Sequence, residues 1–339
     1  MDLEPIAPGR AVEMYITDRQ PELSQATIYS HRSRLSHFTR WCNQEDIEEM
    51  RELSGLDLHE YRLWRREDGG INSVTEKTQM DTLRVFIRWC ESVDAVPQNL
   101  SEKVLSPSLS KGENEREEMV EPDVIRSILD YLSTYEYASS DHVTLLLMWR
   151  CLLRRGAVRA IDLDDAHLDD DDPYLEIHHR PETDTPLKNQ GDAAREVGVR
   201  PETAEVLQDY IDANRHDVKD DHGREPVVTT AQGRPHVQTV QATIYGVTRP
   251  CRIGAECPHG LDPETCDAAK DRQKAYECPT SKSPHPVRRG AITAWLRADV
   301  PDTVVGDRAS TSPEVLDKHY DERTEHEKME QRRPYLNDV

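Results

Sequence analysis

The sequence predicts a mainly α-helical protein with a small antiparallel sheet, an α+β fold in two domains. Residues 1–105 contain four segments with apolar residues at helical spacing. Residues 106–118 are polar and interrupted by Pro and Gly, which is typical of a linker. Residues 119–339 combine apolar helical segments with two short segments of strand character. A chain of 339 residues is long enough for two such domains.

The first domain is predicted to consist of four helices. They are expected at Pro8–Arg19, Ser24–Asn43 with Ser24 as its cap, Gly55–Arg66, and from Ser73 to just before Ala95. The polar faces carry basic residues, of which we single out Arg32, Arg34, Lys77 and Arg84. These residues form either a contact surface for a polyanion or the solvated face of a helical scaffold.

The second domain is predicted to begin with helices and continue into the sheet. The expected elements are helices at Pro122–Tyr135 and Asp141–Leu153, an acidic loop from Asp164 to Asp172, strands at 174–179 and 196–199, and a helix at Pro201–Ala213. The turn between the two strands, Thr185–Asp192, contains Lys188.

The strongest motif is a His-x-x-Arg at the start of a predicted helix, where His285 and Arg288 share one face. A helix N-terminus favours anions, and the Arg288 guanidinium is suited to forked hydrogen bonding with a phosphate. Tyr320 follows further along, near the end of a short amphipathic segment.

This arrangement resembles the catalytic box of the tyrosine recombinases, the phage-integrase family. The resemblance implies that Tyr320 is a nucleophile and that His285 and Arg288 act beside it on a DNA phosphate. A phenol has an ordinary pKa of about 10, so nearby cations or a base must favour the phenolate near neutral pH.

The resemblance covers nearly the whole chain and implies three more catalytic residues. Arg154 falls at the family's first catalytic arginine, although Cys151 and Leu152 replace the family's Thr-Gly and the family's Glu is missing, so that Arg155 is the alternative to Arg154. Lys188 falls at the family's mobile lysine, which can protonate the leaving 5′-oxygen. Arg308 is expected to replace the family's Gly-His position, since a guanidinium donates to the same phosphate oxygen.

The four N-terminal helices resemble the core-binding (SAM-like) domain of this family, followed by an integrase-type catalytic domain. In the family the corresponding helices lie on DNA. The resemblance therefore implies that Arg32, Arg34, Lys77 and Arg84 bind DNA.

Taken together, the resemblance implies a site-specific recombinase or integrase that breaks and rejoins double-stranded DNA. Tyr320 would form a 3′-phosphotyrosyl bond and release a 5′-hydroxyl, while Arg154, Arg288 and Arg308 stabilise the charge on phosphorus. One phosphoester replaces another, so no ATP is needed, and the sequence has no Gly-x-x-x-x-Gly-Lys-Ser/Thr loop. We expect no cofactor for catalysis and a homotetramer on DNA.

The net charge of −22, from 43 Lys and Arg against 65 Asp and Glu, runs against DNA binding. One interpretation is a protein with no DNA-related function. The other is a protein from a salty cytoplasm, of haloarchaeal type, in which an acidic surface maintains solubility and salt screens its repulsion. The spread of carboxylates along the chain and the presence of only 2 Phe favour the second.

Four cysteines cluster in a Pro- and Gly-rich insert, residues 250–279, ahead of the His-x-x-Arg helix: Cys251, Cys257, Cys266 and Cys278. In an intracellular protein such a cluster favours a structural zinc site over disulfides, with His259 able to replace one thiolate. The other three cysteines lie on apolar helix faces and are expected to be buried thiols.

The remaining expectations concern location and the C-terminus. The sequence has no apolar run long enough to span a bilayer and no secretory signal at its start, so we expect a cytoplasmic protein that is nucleoid-associated when bound to DNA. Residues 321–336 are predicted to form a charged helix, which either packs on a neighbouring protomer or is a solvated tail. The alternative functions are a DNA-binding protein of the same fold that does not cut, and a zinc protein without DNA affinity.

Overall fold

The computed structural model describes residues 3–110, 118–169, 171–321 and 323–333, except the side chains of Lys318, His319 and Arg332. It divides into two compact units, residues 1–116 and 117–339. The predicted linker includes 111–117, which lie outside the described residues. None of the described helices is long and apolar enough to cross a membrane.

The described part of the first unit is built from four long helices, α1 (Pro8–Arg19), α2 (Gln25–Gln44), α3 (Gly55–Gly69) and α4 (Ser73–Ser92). Side chains cap three of them at the N-terminus, Ser24 on α2, Ser54 on α3 and Asn72 on α4. Their apolar faces meet in a core rich in aromatic residues, which includes Tyr15, Phe38, Trp41, Tyr61 and Phe86.

The second unit contains ten helices among its described residues and one small sheet. The helices are α5 (Pro122–Tyr135), α6 (Ser140–Arg150), α7 (Arg155–Ala160), α8 (Pro201–Asp209), α9 (Val237–Val247), α10 (Asp267–Lys270), α11 (Pro284–Arg297), α12 (Asp302–Ala309), α13 (Pro313–His319) and α14 (Glu325–Arg332). Strands β1 (Ala166–His167), β2 (Tyr174–Ile177) and β3 (Arg195–Gly198) pair antiparallel in that order. The predicted α+β fold class is confirmed.

Helix α6 lies at the centre of this unit. Residues from His142 to Trp149 are all buried, in a core shared with α5, α9, α11 and the sheet. On β2 and β3, Leu175 pairs with Val197, and both side chains face this core. The buried helix and sheet provide the rigid support from which the site residues project.

The structure differs from the prediction at several elements; among them, β2 ends at Ile177 rather than at 179, and α8 ends at Asp209 rather than Ala213. Helix α6 ends at Arg150 rather than Leu153, because Leu152 adopts a left-handed conformation with φ of 52°. Part of the predicted acidic loop forms strand β1, and α9 was not predicted. The C-terminal helix begins at Glu325 rather than Asp321, because Thr324 caps it in a capping box with Glu327.

Candidate active site

Helix α11 carries the predicted His-x-x-Arg at its first turn, where Pro284 fits without losing a helical hydrogen bond. His285 is exposed, whereas Arg288 is only 2% exposed. The helix packs tightly on the chain entering the unit, since a Cβ at Gly290 would lie 2.0 Å from the carbonyl oxygen of Val120. This packing fixes the position of the two predicted site residues.

Arg154 stands immediately before α7, as its N-cap. The left-handed backbone at Leu152 ends α6 and turns the Leu152 carbonyl oxygen toward Arg288, which donates to it from Nη1. Leu152 occupies the position at which the resemblance places a glycine, the residue that adopts this conformation most easily.

Arg154 and Arg288 converge on the turn formed by residues 309–311. Arg154 donates from Nη1 to the carbonyl oxygen of Ser310 at 2.9 Å, and Arg288 donates from Nη2 to that of Ala309. The Thr311 hydroxyl oxygen accepts from Arg154 Nη2 at 3.3 Å and from Arg288 Nη2 at 3.1 Å. Two guanidinium groups from distant parts of the sequence thus share one hydroxyl.

Tyr320 follows α13 and is 5% exposed. The Cζ atom of Arg288 lies 5.7 Å from the centroid of the Tyr320 ring, and the His285 ring centroid lies 5.5 Å from it. The structure therefore brings His285, Arg288 and Tyr320 together.

Lys188 lies in the loop between β2 and β3, exposed and without a hydrogen bond or ion pair to any described residue. Its neighbour Asn189 donates from Nδ2 to the carbonyl oxygen of Ser310 at 3.0 Å. The same Ser310 oxygen accepts from Arg154, so the lysine loop is attached at the edge of the arginine cluster.

The side chain of Arg308 does not join this cluster. It donates from Nη2 to the carbonyl oxygens of Arg150 at 3.0 Å and Gly198 at 2.8 Å, and its Cζ lies 4.7 Å from the centroid of Trp295. In this structure, stacking and carbonyl contacts hold the Arg308 guanidinium away from the 309–311 turn that Arg154 and Arg288 share, and a contact of Arg308 with phosphate stays a prediction.

Arg195, which sequence reasoning missed, lies next to the cluster on β3. It donates from Nε to the carbonyl oxygen of Arg308 at 2.9 Å and from Nη1 to that of Ala193 at 2.8 Å. Burial, together with the charges of Arg154 and Arg308, lowers the pKa of Arg195 to about 10. Its sequence context, one arginine in a short strand, gives no signal that it lies beside the arginine cluster.

The three guanidinium groups of Arg154, Arg195 and Arg288 form no ion pair with any carboxylate in the described part of the chain. Burial, and next the charge of Arg154, lowers the pKa of Arg288 to about 9, so it remains charged at neutral pH. Although the protein has a net charge of −22, this site is locally cationic. An anion that took the places of the Ala309 and Ser310 carbonyl oxygens would reduce the electrostatic repulsion among the three guanidinium groups.

The cysteines of the insert do not form a ligand cluster in this structure. Among the described residues, the only group of three or more metal-ligating side chains with ligand atoms within 4.8 Å of one another is Asp165, Glu176 and His178. Those three are held by hydrogen bonds and ion pairs with Arg180 and with each other. A zinc site at Cys251, Cys257, Cys266 and Cys278, all of them partly buried free thiols, stays a prediction.

The four basic residues of the first unit are all engaged by protein groups. Arg32 pairs with Glu13 at 3.1 Å, and Arg34 donates to the Thr82 hydroxyl at 3.0 Å. The Asp81 carboxylate accepts from Lys77 at 2.8 Å and from Arg84 at 2.9 Å. Arg34, Lys77 and Asp81 line a shallow groove between α2 and α4.

Solved structures share this architecture over nearly the whole chain. The Tn1549 transposon integrase, in complex with transposon right end DNA, matches with a TM-score of 0.66 and 13% identity, over 98% of this chain and 100% of that chain. A lambda integrase dimer bound to a COC′ core site matches with a TM-score of 0.61 and 10% identity, over 97% of this chain and 78% of that chain. The chain has the tyrosine-recombinase fold.

One further structure is similar in sequence to a part of the chain. The N-terminal domain of a phage integrase/site-specific recombinase from Haloarcula marismortui is 36% identical over 31% of this chain and 99% of that chain, with a TM-score of 0.30. No protein-family model matches the sequence, and no curated protein is a detectable relative. The identification as a tyrosine-recombinase fold therefore depends on the structures that align over the full chain.

Proposed function

We propose that this protein is a site-specific recombinase that breaks and rejoins duplex DNA through Tyr320. The observation that carries the proposal is the placement of the Tyr320 ring beside both Arg288 and His285, with Arg154 bonded to the same turn as Arg288. A phenol beside two guanidinium groups that pair with no carboxylate in the described part of the chain is suited to attack on a phosphate, because the same cations bind the phosphate that the phenol attacks.

In the proposed reaction, the phenol oxygen of Tyr320 attacks phosphorus, and the bond from phosphorus to the 5′-oxygen breaks. Arg154 and Arg288 bind the non-bridging oxygens, which would take the places now held by the Ala309 and Ser310 carbonyl oxygens. His285 accepts the phenol proton, and Lys188 gives a proton to the 5′-oxygen that leaves. Rejoining is the reverse reaction, with the 5′-hydroxyl as nucleophile.

DNA binding by the first unit is part of the same proposal. Arg32, Arg34, Lys77 and Arg84 would bind backbone phosphates, which supply position and affinity rather than sequence readout. Assembly as a tetramer on DNA would let four chains exchange two pairs of strands. Both the Tn1549 and the lambda integrase structures that share the fold contain DNA.

The test is covalent trapping on a nicked duplex that carries the attachment-site DNA flanking the gene, in high-potassium buffer. Wild type is expected to give a DNA-shifted protein band on a denaturing gel, and Tyr320→Phe is expected to give none. Binding without a covalent band on several candidate sites would instead support a DNA-binding protein that does not cut. The placement of the Arg308 guanidinium outside the cluster is the observation that favours that second function.

A further inference from the structure

The backbone of Tyr320 is held by a side chain of the helix that carries His285 and Arg288. Tyr320 has left the helical conformation, with φ of −133° and ψ of −22°, so its carbonyl oxygen lies beyond the hydrogen-bond pattern of α13. The Thr293 hydroxyl donates to that oxygen at 2.8 Å, and Thr293 is completely buried. The bond is thus shielded from water.

The hydroxyl of Thr293 differs from those of other helical threonines in the acceptor of its hydrogen bond. A threonine hydroxyl within a helix commonly donates to the carbonyl oxygen four residues earlier in its own helix. Four threonines of the first unit do so over 2.8 to 3.2 Å, namely Thr17, Thr39, Thr78 and Thr82. Thr293 instead donates across to another segment, the one that carries the proposed nucleophile.

The position of Thr293 on α11 has a geometric consequence. His285, Arg288 and Thr293 lie within about two turns of one buried helix, a span of roughly 12 Å. A helix of this kind is rigid, so the hydrogen bond from Thr293 fixes the Tyr320 backbone relative to the two groups that act beside it.

We propose that Thr293 is a positioning residue, which holds Tyr320 in place against His285 and Arg288 through its hydroxyl. This inference rests on the proposed function, since it assigns a role in strand cleavage. Displacement of a reacting atom by about 1 Å can cost roughly a hundredfold in rate. Loss of the hydroxyl should therefore slow cleavage without weakening DNA binding.

The experiment compares wild type, Thr293→Val and Thr293→Ser. The single-turnover rate of covalent complex formation is measured on the nicked duplex, and the Kd for the same duplex is measured separately. The control, Thr144→Val, removes a hydroxyl at an equally buried helical position of the same unit. We expect Thr293→Val to cleave about tenfold more slowly or worse, with unchanged Kd, and Thr293→Ser and Thr144→Val to resemble wild type. Cleavage by Thr293→Val at the wild-type rate would overturn the proposal.

A second measurement decides the inference even if no variant cleaves. Amide hydrogen exchange in residues 313–321 is expected to be about fivefold faster in Thr293→Val than in wild type, from the loss of one buried hydrogen bond. Exchange elsewhere is expected to be unchanged, which shows that the variant folds. If the wild-type protein forms no covalent complex, the proposed function is refuted. If amide exchange in residues 313–321 is the same in Thr293→Val as in wild type, the anchoring of Tyr320 by Thr293 is refuted.

Discussion

The Cζ atom of Arg288 lies 5.7 Å from the centroid of the Tyr320 ring, and both residues are buried. A guanidinium at this distance from an aromatic face is attracted to it, more strongly when both groups are removed from water. The contact joins the N-terminal part of α11 to the residue that follows α13. It is the structural relationship on which the proposed chemistry depends.

At position 152, glycine is predicted to give a more stable protein than alanine. The φ of 52° at Leu152 is costly for a residue with a Cβ, by about 1–2 kcal/mol, so Leu152→Gly should be more stable than Leu152→Ala by about 1 kcal/mol. Leu153 is equally buried but has no positive φ. At this position the alanine variant should therefore be more stable than the glycine variant, by about 0.5–1 kcal/mol. Urea unfolding of the four variants measures both differences. The same order at the two positions would contradict the backbone argument.

Inorganic phosphate is predicted to stabilise the protein by binding at the arginine cluster. An anion that binds only the folded state contributes about 2.7 kcal/mol at a hundred times its Kd, and here it also relieves repulsion among Arg154, Arg195 and Arg288. Calorimetry should show a Tm that rises with phosphate more than with chloride at equal ionic strength. The rise should shrink in Arg154→Gln and persist in Arg126→Gln, which removes an exposed arginine of α5. Equal phosphate effects in the two variants would exclude binding at the cluster.

Lys188 is predicted to act on the leaving group. Lys188→Ala should cleave an ordinary nicked duplex about a hundredfold more slowly, because the 5′-oxygen then lacks its proton donor. A substrate with sulfur at that 5′ position should restore most of the rate, since a thiolate leaves without protonation. Lys219→Ala, at another exposed lysine, is the control. Failure of the sulfur substrate to restore the rate would assign Lys188 to another step.

Asp81 is predicted to weaken DNA binding by the first unit. Burial opposes its ionisation, but hydrogen bonds from Lys77 and Ser106 hold the pKa of Asp81 below its ordinary value, so it is charged at neutral pH. Asp81→Asn frees Lys77 for phosphate contacts, whereas Arg84 still donates to the Val104 carbonyl oxygen at 2.6 Å. The Kd should fall several-fold, with a steeper salt dependence. Glu67→Gln, which removes an exposed charge of α3, should change the Kd less. Equal effects of both variants would indicate only a change in net charge.

The sequence was sufficient where local patterns decide the structure. Helix α1 and the capping of α2 by Ser24 follow from apolar spacing and a cap residue. His285 and Arg288 lie on the helix predicted for them, and the Tyr320 ring lies beside both. A helix start and a spaced motif are local features, which a sequence records directly.

The features that the sequence did not reveal depend on tertiary packing. The Arg308 side chain points to the Trp295 ring and to two carbonyl oxygens of other segments, an arrangement that the sequence does not record. Arg195 reaches the cluster only because β3 lies next to the 309–311 turn. The end of α6 at Arg150 depends on a left-handed residue that is not glycine, Leu152, which sequence propensity does not reveal.

The most direct test of the account is to locate the covalent bond. The protein is trapped on the nicked duplex, the complex is digested with protease and nuclease, and mass spectrometry finds the peptide that carries a nucleotide. We predict the nucleotide on Tyr320, joined through a 3′-phosphate, with a 5′-hydroxyl on the released strand that a polynucleotide kinase can label. Attachment to a different residue, or a 5′-phosphate on the released strand, would contradict the account.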